Sequence, residues 1–523
     1  MGKEIGIDLG TTNTVVSYVN KHDKIATLKF KNNKYIIPSA IYFKSKSDIV
    51  IGEEAKKNGL MKKNKNAYVD NFKSNMGNPK YKYSVTAENG DKFKLTSKQL
   101  ASKFLKKVLY SMQDKINREF SDTNDNYIDK AVITVPAKFN DVERQATKQA
   151  GISAGLQDVQ LMAEPTAGAI AYMEDHGVSD RNILVYDFGG GTFDISLLEN
   201  NNGVFKVRST DGDKHLGGNN ITQKIVNLFI DQLNEDFEYD IPYTIEDYDS
   251  DYCELQWNDF IVLYMDILSI CNNIKEELSE GESVFEDVLE VKKDDDIQEW
   301  EYYYTAEEIC KAIEDEVDTT INITKNMLKY AKDNDISIDN IILTGGSSQL
   351  PMVEEKLSKI FNANSIDLDV DVTTLISRGA TLVANEKYSI DKIEETTNAE
   401  IGVKSRIGSV VDGFKPIIPD GVRLPYTASS DFIVQDKNAK RMTITIYERN
   451  IKSKPKNETI RDKSVQKLDE LIIDNLPDSD SNLIVTITFT ANKDGSLKLS
   501  ADIKSNGKVI SKEHTIEKES NLL

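Results

Sequence analysis

Twice in this chain an apolar strand ends in an aspartate and turns through small residues into a second strand. IGIDLGTTNT sets Asp8 before a Gly10-Thr11-Thr12 turn, and LVYDFGGGTFDIS sets Asp187 before Gly189, Gly190 and Gly191. Glycine lets backbone come close to an anion, and amides clustered in such a turn can cradle phosphate. One such turn is compatible with an ordinary hairpin. Two copies of one design make chance a poor account. Two carboxylates facing one cleft repel each other unless a cation or its bound waters lie between them. Mg²⁺ with ATP meets that requirement. A third segment, IILTGGSSQLP, puts Gly345 and Gly346 between a strand and a helix, where small residues admit a nucleoside. Neither the P-loop nor the dinucleotide-binding fingerprint occurs, so the nucleotide site is built differently.

The surrounding pattern is that of layered sheets and helices. Residues 1–385 alternate short aliphatic strands (KAVITV, NILVYDF, DNIILT) with long amphipathic helices, which implies an α/β fold. In SKQLASKFLKKVLYSMQDKI, the residues Leu100, Phe104, Leu105, Val108, Leu109 and Met112 recur at helical spacing behind a Thr96/Ser97 cap, so one face should be buried. Residues 386–398 are charged and nearly free of apolar runs, as in an exposed connector. From 399 to 523 the texture becomes alternating strands, and an antiparallel sandwich is expected. Leu483, Val485, Ile487 and Phe489 should share one face of a strand, and Asp494-Gly495 and Asn506-Gly507 supply hairpin turns.

Charge and composition narrow the partners. The 523 residues are 39% hydrophobic, enough for more than one core, and 65 Lys plus Arg against 86 Asp plus Glu give a net charge of −21. That sign opposes attraction to nucleic acid or anionic membrane surfaces. The opening MGKEIGIDLG runs into a strand rather than a signal peptide, and no apolar stretch is long enough to span a bilayer, so a cytoplasmic location is expected. Cys253, Cys271, Cys310 and the four isolated histidines form no disulfide framework or zinc pattern, and Cys310 reads as a core residue. The acidic, aromatic stretches DIPYTIEDYDSDYCELQW and VKKDDDIQEWEYYY read as solvated surface.

At these motifs the chain resembles the DnaK-type 70-kDa heat-shock chaperones, which belong to the actin and sugar-kinase fold superfamily. IGIDLGTTNT, VITVPAKFNDVERQATKQAGISAGL, EPTAGAIAY, DFGGGTFDIS, GDKHLGGN and LTGGSSQLPMV stand in family order along nearly the whole chain. The resemblance implies a duplicated actin-like ATPase domain followed by an all-β peptide-binding domain. It implies that Asp8 and Asp187 hold a hydrated Mg²⁺, and that Thr11, Thr12 and Asn13 with Gly10 and Gly189, Gly190 and Gly191 hold the phosphates of ATP or ADP. Lys73 aligns with the family's catalytic lysine, and Glu164 with the carboxylate that positions water and metal. Thr192 and Asp194 would lie near the γ-phosphate. Lys275 and Ser279 match positions that contact the adenine, Gly345 and Gly346 lie by the nucleoside, and Gly217, Gly218 and Ser347 complete the cofactor-binding set. Val410, Ile444 and Ile446 would help form a peptide site. Unfolded or extended peptides, a J-domain co-chaperone and a nucleotide-exchange factor are the implied partners.

The chain also departs from that family pattern. Asn272 stands for an acidic residue near the base, Gln349 for an arginine, Lys138 for an aromatic, and Gln160 and Ala163 for residues that serve J-domain stimulation in relatives. The connector carries Asp391, Lys392, Ile393, Glu394 and Glu395 where the family has leucines, so docking by apolar contact should weaken. No helical lid is expected after HTIEKESNLL. Besides an ATP-driven chaperone, these departures suit a weakly hydrolysing regulatory scaffold or exchange-factor-like relative. A small-molecule kinase or filament former on the same superfold is a third reading.

Overall fold

A computed structural model of the chain describes residues 3–515 apart from 31–32, 62–64, 121–126, 140, 178–179, 202, 246, 254, 294–295, 362–365, 368–369, 389–392, 395, 398, 409, 435–438, 450–458, 463–464, 478–482, 493–496 and 506–507. The two Asp-turn motifs open two sheets of one design. In the first, Lys3–Leu9 lies parallel to Ile128–Val135, which lies parallel to Asp158–Ala163, while Asn13–Val19 returns antiparallel on the other side. In the second, Arg181–Phe188 lies parallel to Asn340–Thr344, which lies parallel to Ile366–Asp367, while Phe193–Asn201 and then Val204–Asp213 return antiparallel. The repeat seen in the sequence is therefore a repeat of topology, and each aspartate sits at the carboxyl end of the strand beside its lobe's parallel run.

Two helices link the lobes by serving opposite sheets. Glu164–His176 follows the last strand of the first sheet yet packs on Arg181–Phe188 and Phe193–Asn201. Leu375–Ala384 ends the second half yet packs on Lys3–Leu9 and Ile128–Val135. They cross with almost no space between them: a Cβ at Gly379 would lie 1.9 Å from the Ala167 carbonyl oxygen. Beneath the crossing, Ser17 and Ser377 hydroxyls meet at 2.8 Å.

The expected amphipathic helix spans Ser97–Glu119, starts at a Thr96–Gln99 capping box, and buries Leu100, Phe104, Leu105, Val108 and Met112. Leu109 is only partly buried beside that core. One expectation is overturned here. The VKKDDDIQEWEYYY stretch contributes to a long hairpin, Val284–Lys293 with Asp296–Thr305, whose inner face buries Phe285, Leu289, Val291, Trp300, Tyr302 and Tyr304. Alternation along Asp296–Thr305 sends Glu299 and Glu301 outward and Trp300, Tyr302 and Tyr304 inward, so a segment read as solvated surface puts one face into the core. Cys253 and Cys271 are buried and in no disulfide among the described residues, and Cys310 is half-buried against the same core. Among the described residues no helix is long and apolar enough to cross a membrane.

Two four-stranded antiparallel sheets form the C-terminal unit. One runs Val410–Ile418, Glu400–Ile407, Arg441–Arg449, Val465–Asp474, and the other Tyr426–Val434, Leu483–Ala491, Leu497–Ser505, Lys508–Thr515. Leu483, Val485, Ile487 and Phe489 are all buried between them. Asp494-Gly495 and Asn506-Gly507 lie outside the described residues, as do Asp391, Lys392 and Glu395 of the connector. Its centre does dock. Ile393 and Glu394 pair in parallel with Phe205 and Lys206 and extend the second lobe's sheet by one short strand.

Candidate functional site

The two glycine turns meet face to face where the lobes adjoin. A Cβ at Gly190 would lie 2.0 Å from the Thr12 hydroxyl oxygen, and one at Gly191 would lie 2.9 Å from Thr11. Gly217, at the start of the Gly218–Phe237 helix, comes equally close, since its Cβ would sit 2.6 Å from the Gly191 backbone. Side chains are absent at these points because the backbones themselves form the cradle. Ser39, which gave no signal in the sequence, steadies the first turn: its hydroxyl donates to the Gly10 carbonyl at 2.8 Å and its amide to the Thr12 carbonyl at 2.7 Å.

Below the turns lies a buried cluster of charge. Lys73 sits on the Phe72–Asn75 turn with 2% of its surface exposed, and its ammonium donates to Glu164 Oε1 at 2.8 Å. Glu164 occupies the first turn of its helix, followed by Pro165, and is itself buried. Asp8 accepts from the Thr134 hydroxyl at 3.0 Å, and Asp187 faces Asp194 across an antiparallel strand pair. Three acids here resist ionisation. Burial, and then the Glu164 charge, push the Asp8 carboxyl up to about 7 against the opposing pull of Lys73 and Thr134. Burial and Glu164 likewise raise Asp194 to about 7, opposed by Lys138 and by hydrogen bonds from the Lys138 backbone and Thr192. Asp187 is raised well above the ordinary carboxylate range by burial and by Glu164, Asp194 and Asp8.

Such a cluster holds more negative than positive charge in a desolvated space, which a divalent cation would offset. Among the described residues one Asp194 oxygen, Oδ2, is buried and meets no hydrogen-bond partner, as expected of a group that awaits a ligand or water. Among the described residues no three His, Cys, Asp or Glu side chains converge to chelate a metal directly. The buried acids, set against the single ammonium of Lys73, are a donor set that fits a divalent cation.

The opposite wall carries the residues assigned to the nucleoside. Lys275, on the Trp257–Glu280 helix, donates to the Gly218 carbonyl at 3.2 Å, the Thr222 hydroxyl at 2.8 Å and Asn272 Oδ1 at 3.3 Å. Burial lowers its ammonium to about 8, and Lys56 from the first lobe adds to that. The Glu276 charge opposes that lowering, and Asn272, noted as a departure, adds a neutral acceptor. Ser279 donates to the Lys275 carbonyl at 3.0 Å and Ser347 to the Gly189 carbonyl at 3.2 Å. Gly345 adopts φ +80° after the Asn340–Thr344 strand, and a Cβ there would strike the Phe188 carbonyl at 2.5 Å. Gly346 begins the short turn that follows. Contacts from Lys275 to Gly218, from Ser347 to Gly189 and at Gly345 against Phe188 tie this group to the glycine turns.

Residues 4–523 match the family model described as Hsp70 protein. This chain belongs to the Hsp70 family. It is 27% identical over 452 residues to the chaperone protein DnaK of Thermotoga neapolitana, covering 85% of this chain and 70% of that protein. It is 28% identical over 454 residues to the chaperone protein DnaK of Thermosipho africanus, covering 85% of this chain and 69% of that one.

In this Hsp70 chain the three residues assigned to peptide binding part company. Val410 and Val411 are exposed, at 38% and 65%, where the Glu400–Ile407 and Val410–Ile418 strands join. Ile444 and Ile446 are instead buried in the core between the sheets. Alternation along Arg441–Arg449 aims both inward, so they support the hairpin from within rather than line an open surface.

Proposed function

We propose a specific working cycle for this chain, which is an ATP-dependent chaperone of the Hsp70 type: hydrolysis in the interlobe crevice sets how tightly the C-terminal sandwich holds an extended peptide. The buried cluster of Lys73, Glu164, Asp8, Asp187 and Asp194 beneath two facing glycine turns carries this reading. Buried charge is a poor way to stabilise a fold, and its presence here has a ready purpose in holding a charged ligand.

Thr11, Thr12 and Asn13 would contact the phosphates from the first lobe, and Gly10 with Gly189, Gly190 and Gly191 would give them room. Magnesium, when bound through water by Asp8 and Asp187, would neutralise phosphate oxygens. The Lys73 ammonium would offset charge growing on the γ-phosphate, and its bond to Glu164 fixes where it points. Glu164 and Asp194 would orient the attacking water, with Thr192 holding Asp194 in turn. Gly217, Gly218, Lys275, Ser279, Gly345, Gly346 and Ser347 would surround the nucleoside of ATP or ADP.

In the sandwich, Val410 and Val411 would meet an apolar side chain of the peptide, while main-chain hydrogen bonds would give most of the grip. Residues 1–385 would act as the ATPase unit, 386–398 as connector and 399–523 as peptide-binding unit. The cycle suits unfolded or extended peptide segments as clients, a J-domain protein and an exchange factor as regulators, and a cytoplasmic location. Binding of ATP and peptide to two states of one molecule must be reciprocal. Single-turnover hydrolysis with magnesium should therefore quicken when an unfolded peptide is added, and ATP should hasten peptide release. If both ligands bind and neither alters the other, the coupling is wrong. A wild-type chain with background turnover would leave the regulatory scaffold as the better reading.

A further inference from the structure

One short turn reaches both Lys73 and Asp194. Pro136 to Phe139 follows the Ile128–Val135 strand of the first lobe and closes with a hydrogen bond from the Phe139 amide to the Pro136 carbonyl at 3.1 Å. The Phe139 ring lies 5.3 Å from the Lys73 ammonium. The neighbouring Lys138 reaches the other way, into the second lobe, through two separate groups. Its backbone amide donates to Asp194 Oδ1 at 3.3 Å, and its ammonium pairs with Asp211 Oδ1 at 3.2 Å.

Asp194 and Asp211 stand on adjacent antiparallel strands, Ile195 being the register partner of Asp211. Lys138 thus straddles the joint between them. The Asp211 carboxylate is itself held in place, because the same oxygen accepts the Gly212 amide at 2.9 Å. The pair is largely shielded, with side-chain exposures of 16% for Lys138 and 20% for Asp211, so water screens it less than a surface pair. Asp211 lies on Val204–Asp213, the strand whose other end pairs with the connector at Phe205 and Lys206.

We infer that Lys138 is a positioning residue for hydrolysis: by anchoring its ammonium to Asp211 across the lobe boundary, it seats its own amide on Asp194 and so fixes that carboxylate beside the Lys73–Glu164 pair. Donor and acceptors belong to different lobes, so both contacts exist together only when the crevice is closed. An uncharged side chain at 138 would leave the turn free to withdraw and Asp194 without its amide donor. This rests on the hydrolytic reading given above.

The test uses the full chain with Mg²⁺-ATP. Lys138→Met should slow single-turnover hydrolysis about tenfold, the effect of losing one charge-assisted contact, while calorimetric ATP affinity changes less than about twofold by the same measure. Lys138→Arg, which keeps the charge, should recover most of the rate. Asp211→Asn should match Lys138→Met, and the double variant should be no slower than either, since one interaction has been removed from two sides. The inference is overturned if Lys138→Met hydrolyses at the wild-type rate, if its defect lies in ATP affinity alone, or if the two substitutions multiply. Thermal melting of each variant distinguishes unfolding from misplacement, and Lys138→Gln gives a second neutral residue should Met disturb the turn. A wild-type chain without turnover would instead sink the hydrolytic reading itself.

Discussion

Lys73 is a buried cation whose counter-ion, Glu164, it touches directly, so the two must be considered together. Lys73→Ala removes the charge that would meet the γ-phosphate and leaves Glu164 among three other acids. Hydrolysis should fall about a hundredfold or more, while ATP should still bind through the backbone cradle, as single-turnover rates and calorimetry would show. The raised carboxyls make a second prediction. Asp8 and Asp194, pushed up from 3.8 to about 7, take up protons more readily folded than unfolded. Without nucleotide or metal, their contribution to stability is greatest below about pH 4 and is lost as pH climbs to about 7. Asp194→Asn should flatten that part of the pH profile and raise the melting temperature near pH 8, at the expense of turnover. Melts in chelator across that range decide it; an unchanged profile would mean the cluster is better solvated than its burial implies. The motifs made Asp8, Asp187 and the glycines legible in the sequence. Ser39, Thr134 and the Asp211 partner of Lys138 were not, because each acts through a contact distant in sequence and carries no local pattern.

At the scale of elements, the connector shows what a sequence conceals. Its charged residues argue against docking by apolar contact, yet Ile393 and Glu394 pair with Phe205 and Lys206. Strand addition is carried by backbone hydrogen bonds, which any side chain but proline permits, so charge patterning alone could not decide the matter. Ile393→Pro should therefore release the strand. Amide exchange over residues 204–207 should quicken, while exchange in Lys3–Leu9 at the centre of the first sheet stays as it was. Equal protection in the variant would show that the pairing adds nothing. The glycine turns behave as elements too. With its Cβ position 2.0 Å from the Thr12 hydroxyl, Gly190→Ala should hold the lobes apart. ATP should then lose much of its power to raise the melting temperature, although the nucleotide-free protein melts nearly as before. Strand periodicity and glycine turns were readable from local residue order, and the hairpin's inner aromatics could be recovered from the same alternation once its register was known.

The whole molecule depends on how the two lobes are joined, and the join is the crossing of Glu164–His176 with Leu375–Ala384. Each helix ends one lobe and covers the sheet of the other, so relative motion of the lobes must pass through their contact. Gly379 is its closest point. In an exposed helix, alanine for glycine would add about 1 kcal/mol of stability. Here the new Cβ would lie 1.9 Å from the Ala167 carbonyl oxygen, so the helices must part. Overpacking of this kind costs about 1–3 kcal/mol, and the second effect should win. Gly379→Ala is expected to lower the melting temperature of the two-lobed unit and to leave the C-terminal sandwich, whose core is separate, unaffected. Because Glu164 opens one of the two crossing helices, the variant should also respond less to ATP than its lost stability alone accounts for. Differential scanning calorimetry with and without Mg²⁺-ATP measures both effects. A rise in the first transition would mean that helix propensity outweighs the clash and that the crossing is loose; an unchanged response to ATP would separate the join from closure of the site.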